Sequence, residues 1–382
     1  MLKEQRNCCM DIGSRIKMAR ISAQMSMRDL AEKVGVSHTA ISKYERNIDR
    51  PRPAILLKLA RVLNVDAAYF LQDTSFELQC TAYRKQKKLS QKQQKCIETK
   101  ITSILEKQLE FESALPNHYA TVFKLQTYDV ASFEDVEQAA EALRDYFEIG
   151  YDSIENLTET IEQNGIRVVA MDAPQGFDGF SCWVNGDIPV IVSQTNIPGD
   201  RQRYNLAHEL GHLLLNTTNG FDAEKAAHRF AGALLLPRKT ALREFGPKRS
   251  SLNMKELYIL KHKYGISMQA IAKRAFELEI ISDEAYKKLY IQFSKNGWRK
   301  EEAGTPYPVE QSYRFMLLVQ QALAENLINP SKAAELLGQR PPANTQAYDY
   351  SFDDLEYIAN QYRYDKELTT FSECAEDVLD YE

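Results

Sequence analysis

Apolar residues recur at helical spacing through most of this 382-residue chain and switch to strand-like runs in only one short stretch. Residues 12–24 read as one amphipathic helix. Ser26-Met-Arg-Asp29 is a capping box with Asp in the Glu place, opening a short helix through Val34. Gly35 is a tight-turn residue, Val36 packs inward, and Ser37 caps a third helix over His38–Arg46. After an Arg/Pro-rich loop, Ala54–Leu63 predicts a fourth helix ending near Asn64. Ile97, Ile101, Ile104, Leu105 and Leu109 make the stripe of a long helix, with Pro116 just past its end. Further helices are expected from Phe133 and over Asp152–Asn164. Ile166–Met171, Phe177–Val184 and Pro189–Ser193 then read as strands, the last two joined as a hairpin through Asn185-Gly186. Residues 251–300 return to helical spacing. The pattern predicts a multidomain chain, mainly α with a small β-sheet.

One helical segment carries chemistry as well as pattern. His208-Glu209-Leu210-Gly211-His212 places two imidazoles at i and i+4, one above the other on a helix face. Both can reach one metal ion, with Glu209 beside them to take a proton from water. Leu206, Leu210, Leu213 and Leu214 mark the helix as buried, so the pair belongs in a cleft. A catalytic zinc usually takes three protein ligands. The metzincin pattern would need His six residues past His212, where Thr218 stands. Instead Asp222 caps a helix that Pro237 stops, with Ala223, Ala227, Phe230 and Leu234 at helical spacing. Glu224 and His228 are again i and i+4, and either completes a site. A carboxylate on the helix after His-Glu-x-x-His is the gluzincin arrangement, which favours Glu224.

His208–His212, then Glu224-x-x-Ala227-x-x-Phe230-Ala231 and Leu234-Leu235-Leu236-Pro237, resembles the ImmA/IrrE metallopeptidase family. Arg201-Gln-Arg-Tyr-Asn-Leu-Ala-His208 resembles that family's entry into its active helix, and the resemblance covers roughly residues 130–300. It implies an α+β zincin-like fold with Zn2+ on His208, His212 and Glu224, and Glu209 as general base. Where the family commonly carries Asn, this chain has His228, leaving it open as alternative ligand, partner of a ligand or oxyanion stabiliser.

The N-terminal helices carry a different signal. Helix, short turn with Gly, helix is the helix-turn-helix signature, and its spacing resembles the Xre/phage-repressor family over about residues 11–72. Residues 1–72 hold 13 Lys/Arg against 7 Asp/Glu, whereas the whole chain has net charge −5. A basic module on an acidic protein is the electrostatic footprint of phosphate binding. In this motif the second helix enters the major groove. His38, Thr39, Ser42 and Lys43 are therefore expected at base edges, Ser37, Arg46 and Arg28 at phosphates, and Ile41 and Tyr44 inside. The family often has Gln where Met27 stands, so one polar contact is missing.

The expected organisation is a tail over 1–10, a five-helix helix-turn-helix domain over 11–75 and a helical linker over 76–130. A peptidase domain over 131–300 and a helical region with acidic tail over 301–382 complete it. The linker's stripe buries either against this chain or in a homodimer, and its basic run over 81–97 meets either solvent or DNA backbone. Residues 343–382 hold 11 acids against 2 bases and read as a partly ordered tail. A hydrophobic fraction of 44% with 26% charged residues, no long apolar run and no signal-peptide core exclude a membrane protein. Six cysteines without Cys-x-x-Cys spacing, Cys8-Cys9 among them, fit reduced thiols in a cytoplasm. Three functions compete. One is a DNA-binding regulator that relieves repression by cutting itself or a partner repressor. The second is a transcription factor whose zinc fold only senses a signal. The third is an antitoxin-like regulator that captures a protein partner.

Overall fold

The computed structural model describes residues 12–71, 78–79, 90–116, 126–174, 176–299 and 301–338. The N-terminal tail with Cys8-Cys9, the start of the basic run and the acidic end lie outside the described residues. Backbone contacts divide the chain into two units at residues 78/79, 85/86 and 111/112.

The first unit packs α1 (Ile12–Ser22), α2 (Met27–Val34), α3 (His38–Glu45), α4 (Pro53–Leu63) and a 3-10 turn (Ala67–Leu71) on one core. The fifth helical segment expected here is that 3-10 turn. Ser26 and Asp29 form the capping box at α2, and Gly35 ends it at φ 78°, donating to the Ala31 and Glu32 carbonyls. Ser37 then caps α3. Ile16, Leu30, Ile41, Leu59 and Phe70 are fully buried at the centre. Arg20 of α1 clasps both carboxylate oxygens of Glu45 at 2.5 and 2.8 Å, fixing the end of α3. Most of α5 (Gln91–Ser113) belongs to this unit, with Ile97, Ile101 and Leu105 buried. Glu106 shares that face and accepts a hydrogen bond from buried Arg15 of α1, so this part of the stripe faces inward within the chain.

In the second unit, α6 (Phe133–Tyr146) starts at a second capping box, Ser132 with Asp135. The helix expected over 152–164 is shorter: α7 spans Leu157–Gln163 with Asn156 as its cap. The upstream carbonyls are taken by tertiary partners, Asp152 by Arg144 and Ile154 by Arg203. The main sheet comprises β1 (Leu78–Gln79), β3 (Arg167–Met171), β4 (Gly179–Val184) and β5 (Ile188–Gln194) in the order β1-β4-β5-β3. β4 and β5 form the expected hairpin, with Asn185 and Gly186 both at positive φ (53° and 87°) in the three-residue connection between Val184 and Ile188. Val190, Ile191 and Val192 are fully buried, the mark of a strand covered on both faces.

α8 (Gly199–Leu214) lies on β4 and β5 and runs directly into β6 (Leu215–Thr217), which pairs in parallel with β2 (Tyr128–Val130). α9 (Ala223–Leu235) packs along α8, and α10 (Arg238–Phe245), α11 (Met254–Tyr264), α12 (Met268–Glu277) and α13 (Asp283–Lys295) complete the core. The α11–α12 pair has helix-turn-helix spacing, but α12 faces the interior: Ile271, Ala272 and Ala275 are fully buried. Its Arg274 grips Glu137 of α6 through two hydrogen bonds of 2.5 and 2.7 Å, and Arg229 of α9 joins at 2.5 Å. Burial alone would raise the Glu137 carboxyl, but these guanidinium groups hold it below the usual range.

Glu302, Tyr307 and Glu310 join another buried network of this unit. Glu310 accepts from the backbone of Leu157 and Thr158 and pairs with fully buried Arg203 of α8. Gly199 donates to the Tyr307 carbonyl, and Glu302 caps α12 through the Met268 and Gln269 amides. This segment therefore fixes the entry into α8. α14 (Arg314–Ala324) and α15 (Pro330–Leu337) follow. No helix among the described residues is long and apolar enough to cross a membrane.

Candidate metal centre and nucleic-acid face

α8 and α9 run side by side because their contact face is small. A Cβ at Gly211 would come within 3.2 Å of the Ala227 Cα and the Phe230 ring, so a larger residue there would wedge the helices apart. The close approach brings the first turn of α9 against the last turns of α8. His208 Nε2 and His212 Nε2 lie 3.1 Å apart, and each is 3.6 Å from one carboxylate oxygen of Glu224. These three residues are the group among the described ones whose ligand atoms could share a metal ion. Tetrahedral bonds of about 2.05 Å put neighbouring ligand atoms about 3.3 Å apart, so the spacing suits such an ion. Both imidazoles are 13% exposed and Glu224 is 46% exposed, so the site opens on the Glu224 side. Burial, then the neighbouring His228 and His212 rings, push the His208 imidazole down to about 3 in the metal-free chain. The neutral ring this leaves is the form that binds a metal.

Glu224 sits in the first turn of α9, where the helix dipole favours a carboxylate, and Asp222 caps that turn through the Glu224 and Lys225 amides. Glu209 is buried on the sheet side of α8, and its Oε2 accepts from the Ser181 hydroxyl of β4 at 2.9 Å. Burial first, and then the charges of Glu224 and Asp178, push its carboxyl up to about 7 against the opposing Ser181 hydrogen bonds. Asp178 is itself tied to α8, its side chain to Arg201 at 2.5 Å and its carbonyl to Asn205 at 2.9 Å.

His228 does not join the three converging residues. Its ring lies 4.3 Å from that of His208, tilted by 45°, on the exposed side of α9. Tyr204 of α8 stacks beneath it at 6.1 Å and donates its hydroxyl proton to the His228 carbonyl. Trp183 packs partly buried against the core. Sequence reasoning missed Ser181 and Tyr204. Ser181 had one signal, a polar residue in an otherwise apolar strand, and Tyr204 had its place one turn before His208.

In the first unit, Ser37, His38, Thr39, Lys43, Arg46 and Arg28 are exposed and Ser42 is half-buried. Ile41 is fully buried and Tyr44 packs partly buried on the core, as expected. Ser37 uses its hydroxyl to accept from the Ala40 amide, and Arg46 donates to the Ser42 carbonyl of its own helix.

Fold and residues together define two modules, a helix-turn-helix and an α+β unit whose paired helices converge two histidines and one glutamate, with a second glutamate buried beside them. The comparisons give these modules their families. A helix-turn-helix family matches residues 16–70, and the IrrE N-terminal-like domain matches residues 161–276. The chain thus joins an Xre-type helix-turn-helix domain to an IrrE/ImmA-like domain. It is similar to the HTH-type transcriptional regulator ImmR of Bacillus subtilis, 37% identical over 62 residues, 16% of this chain and 49% of that protein. An uncharacterized HTH-type transcriptional regulator of Sinorhizobium medicae is 34% identical over 62 residues, 16% of this chain and 45% of its own length. The chain thus spans a little under half the length of these curated relatives. Among solved structures, the biofilm master regulator SinR in complex with DNA shares 39% identity, covering 16% of this chain and 98% of that one, at a TM-score of 0.16.

Proposed function

We propose that this chain is a DNA-binding transcriptional regulator whose second unit is a zinc-dependent endopeptidase that relieves repression by cutting the chain itself or a partner repressor. The observation that carries this reading is the position of Glu224, its Oε2 3.6 Å from His208 Nε2 and its Oε1 3.6 Å from His212 Nε2, beside a buried Glu209. A purely structural metal needs no such acid. His208, His212 and Glu224 would hold a zinc ion, which would supply Lewis-acid polarisation of the scissile carbonyl and of water. Glu209 takes a proton from the attacking water as the oxygen bonds to the carbonyl carbon. It then passes that proton to the departing amide nitrogen as the carbon–nitrogen bond breaks. Ser181 holds Glu209 in place for both transfers. In the first unit, His38, Thr39, Ser42 and Lys43 read bases in a duplex operator while Ser37, Arg46 and Arg28 meet phosphates. The fit of ImmR, named as a transcriptional regulator, to part of this chain supports the regulatory half.

Glu209→Gln tests the coupling of the two halves, since it deletes the proton acceptor and leaves the three ligands and the basic helix intact. The variant is expected to keep zinc and DNA binding while its target promoter stays repressed under the inducing signal. A reporter that still responds normally rejects the protease-driven reading.

A further inference from the structure

The two units handle their exposed charge differently. Among the described residues of the first unit, the ion pairs are Arg15 with Glu106 and Arg20 with Glu45, both turned inward. On and around α3, Arg28, Lys43, Arg46, Arg50 and Arg52 are exposed and take part in neither. The acids near them in sequence are mostly engaged. Asp29 accepts from the Ser26 amide, Asp49 from the Arg50 amide, and Glu45 is clasped by Arg20. In the second unit, by contrast, Arg201, Arg238, Arg243, Arg249 and Lys263 each reach a carboxylate within 3.3 Å. Ile48, between Arg46 and Arg50, adds an apolar side chain that is 62% exposed. The α3 face is a basic surface with one apolar spot and little counter-charge to spare.

The chain carries a partner of matching chemistry. Residues 343–382 hold 11 acids against 2 bases, interleaved with eight Tyr and Phe. That excess turns a chain that is net positive over residues 1–342 into one of net charge −5. Beyond Gly338, where the described residues end, the rest of the chain spans at most roughly 145 Å when extended. A folded body of this size has a radius of gyration of about 20 Å, so the segment reaches the α3 face however the two units are arranged. We propose that residues 343–382 dock on the α3 face of their own chain and mask it from DNA. This rests on the DNA-binding reading of that face given above. Carboxylates take the places of phosphates at Arg28, Lys43, Arg46, Arg50 and Arg52, and an aromatic ring covers Ile48. Tethering holds the segment at an effective concentration of about 1 mM. With an affinity of about 0.1 mM, that of weak non-specific phosphate binding, it lowers the apparent affinity for DNA about tenfold. The masking is electrostatic and fades as salt rises.

The first arm of the test uses the full-length wild-type chain. A carbodiimide joins a carboxylate to a lysine amine in contact with it. Peptide mapping should find Lys43 joined to acids of residues 343–382, and an excess of random-sequence duplex should suppress that product about tenfold. In a mixture of isotopically heavy and light chains the product should stay within one chain. The second arm replaces all eleven acids by their amides, from Asp349→Asn to Glu382→Gln. This variant should bind the same duplex about tenfold more tightly than wild type at about 50 mM salt, and the gap should close near 0.5 M. A synthetic peptide of residues 343–382, added at about 1 mM, should return the variant to wild-type affinity, which long-range repulsion alone would not explain. The proposal is overturned by equal affinities of the two proteins, by crosslinks joining heavy to light chains, or by the absence of a Lys43 product. Crosslinks confined to exposed lysines of the second unit, such as Lys288 and Lys295, overturn it too. If the Lys43 product forms within one chain while neither protein binds any duplex, the docking stands and the DNA-binding reading alone fails.

Discussion

The two units present their functional residues in opposite ways. In the first, the residues proposed to meet DNA lie on α3 and its caps, with Arg28 on α2, mostly exposed, and the core beneath them is a separate set of side chains. In the second, the site is made of core: Glu209 is buried, the two histidines are nearly so, and their helices touch through Gly211 and Ala227. An exposed reading head can change its residues without changing its fold. A centre assembled from two helices and a strand cannot, because Glu209, His208 and His212 are also packed into the interior and Glu224 alone stands half-exposed. The consequences for mutation, pH and ionic strength differ accordingly between the units.

The largest expected effect lies at the assembled centre. His212→Ala removes a proposed ligand and should abolish stoichiometric zinc, weakening affinity by more than the roughly 100-fold that outer partners of metal ligands control. Glu224→Ala should also lose zinc, and far more than His228→Ala. Metal analysis after dialysis against a weak chelator measures all three. Full zinc retention by His212→Ala would reject the assignment, and greater loss from His228→Ala than from Glu224→Ala would move the third ligand to His228.

That contrast also explains what was legible in the sequence. The helix-turn-helix could be read almost residue by residue, because its signals are local: Ser26 with Asp29, Gly35, and Ser37 all act within four positions. The spacings from His208 to His212 and from Glu224 to His228 were equally plain, being single helical turns. The partners from elsewhere were not. Ser181 reaches Glu209 across 28 residues of chain, and Glu310 reaches Arg203 across 107. No periodicity encodes such pairs. The late start of α7 has the same origin, since the carbonyls of Asp152 and Ile154 bond to arginines on other helices instead of the local ladder.

A middle-sized effect concerns pH. Glu162 of α7 is buried, and burial pushes its carboxyl up to about 7, against the Ser312 hydroxyl at 2.6 Å and the charges of Arg314 and Arg167. Its folded value is raised, so the stability it contributes is fully present below about pH 4.5 and is lost as pH rises through 7. The full swing is about 3 kcal/mol at most. Glu162→Gln keeps an oxygen for Ser312 and cannot ionise. The variant should therefore gain on the wild type between pH 5 and pH 8, as measured by urea unfolding of the zinc-loaded chains. A stability difference that stays constant over that range would contradict the assignment.

The smallest effects belong to the exposed helix, and they test the comparison from its other side. Lys43 and Arg46 carry no packing load, so alanine at either should shift unfolding by no more than about 0.5 kcal/mol. Their consequences should appear only on DNA. Arg46→Ala tests the proposed phosphate contact: it should weaken binding to specific and random duplexes alike and lower the slope of log affinity against log salt by about one. Lys43→Ala tests the proposed base contact: it should narrow the gap between specific and random duplexes by about 1–3 kcal/mol. Titrations at several salt concentrations with both duplexes separate the two roles. If either substitution unfolds the first unit, the head and its core are not independent, and the contrast with the metal centre fails. If affinity for specific and random DNA is equal in the wild type under every condition, the exposed helix binds phosphate without reading an operator.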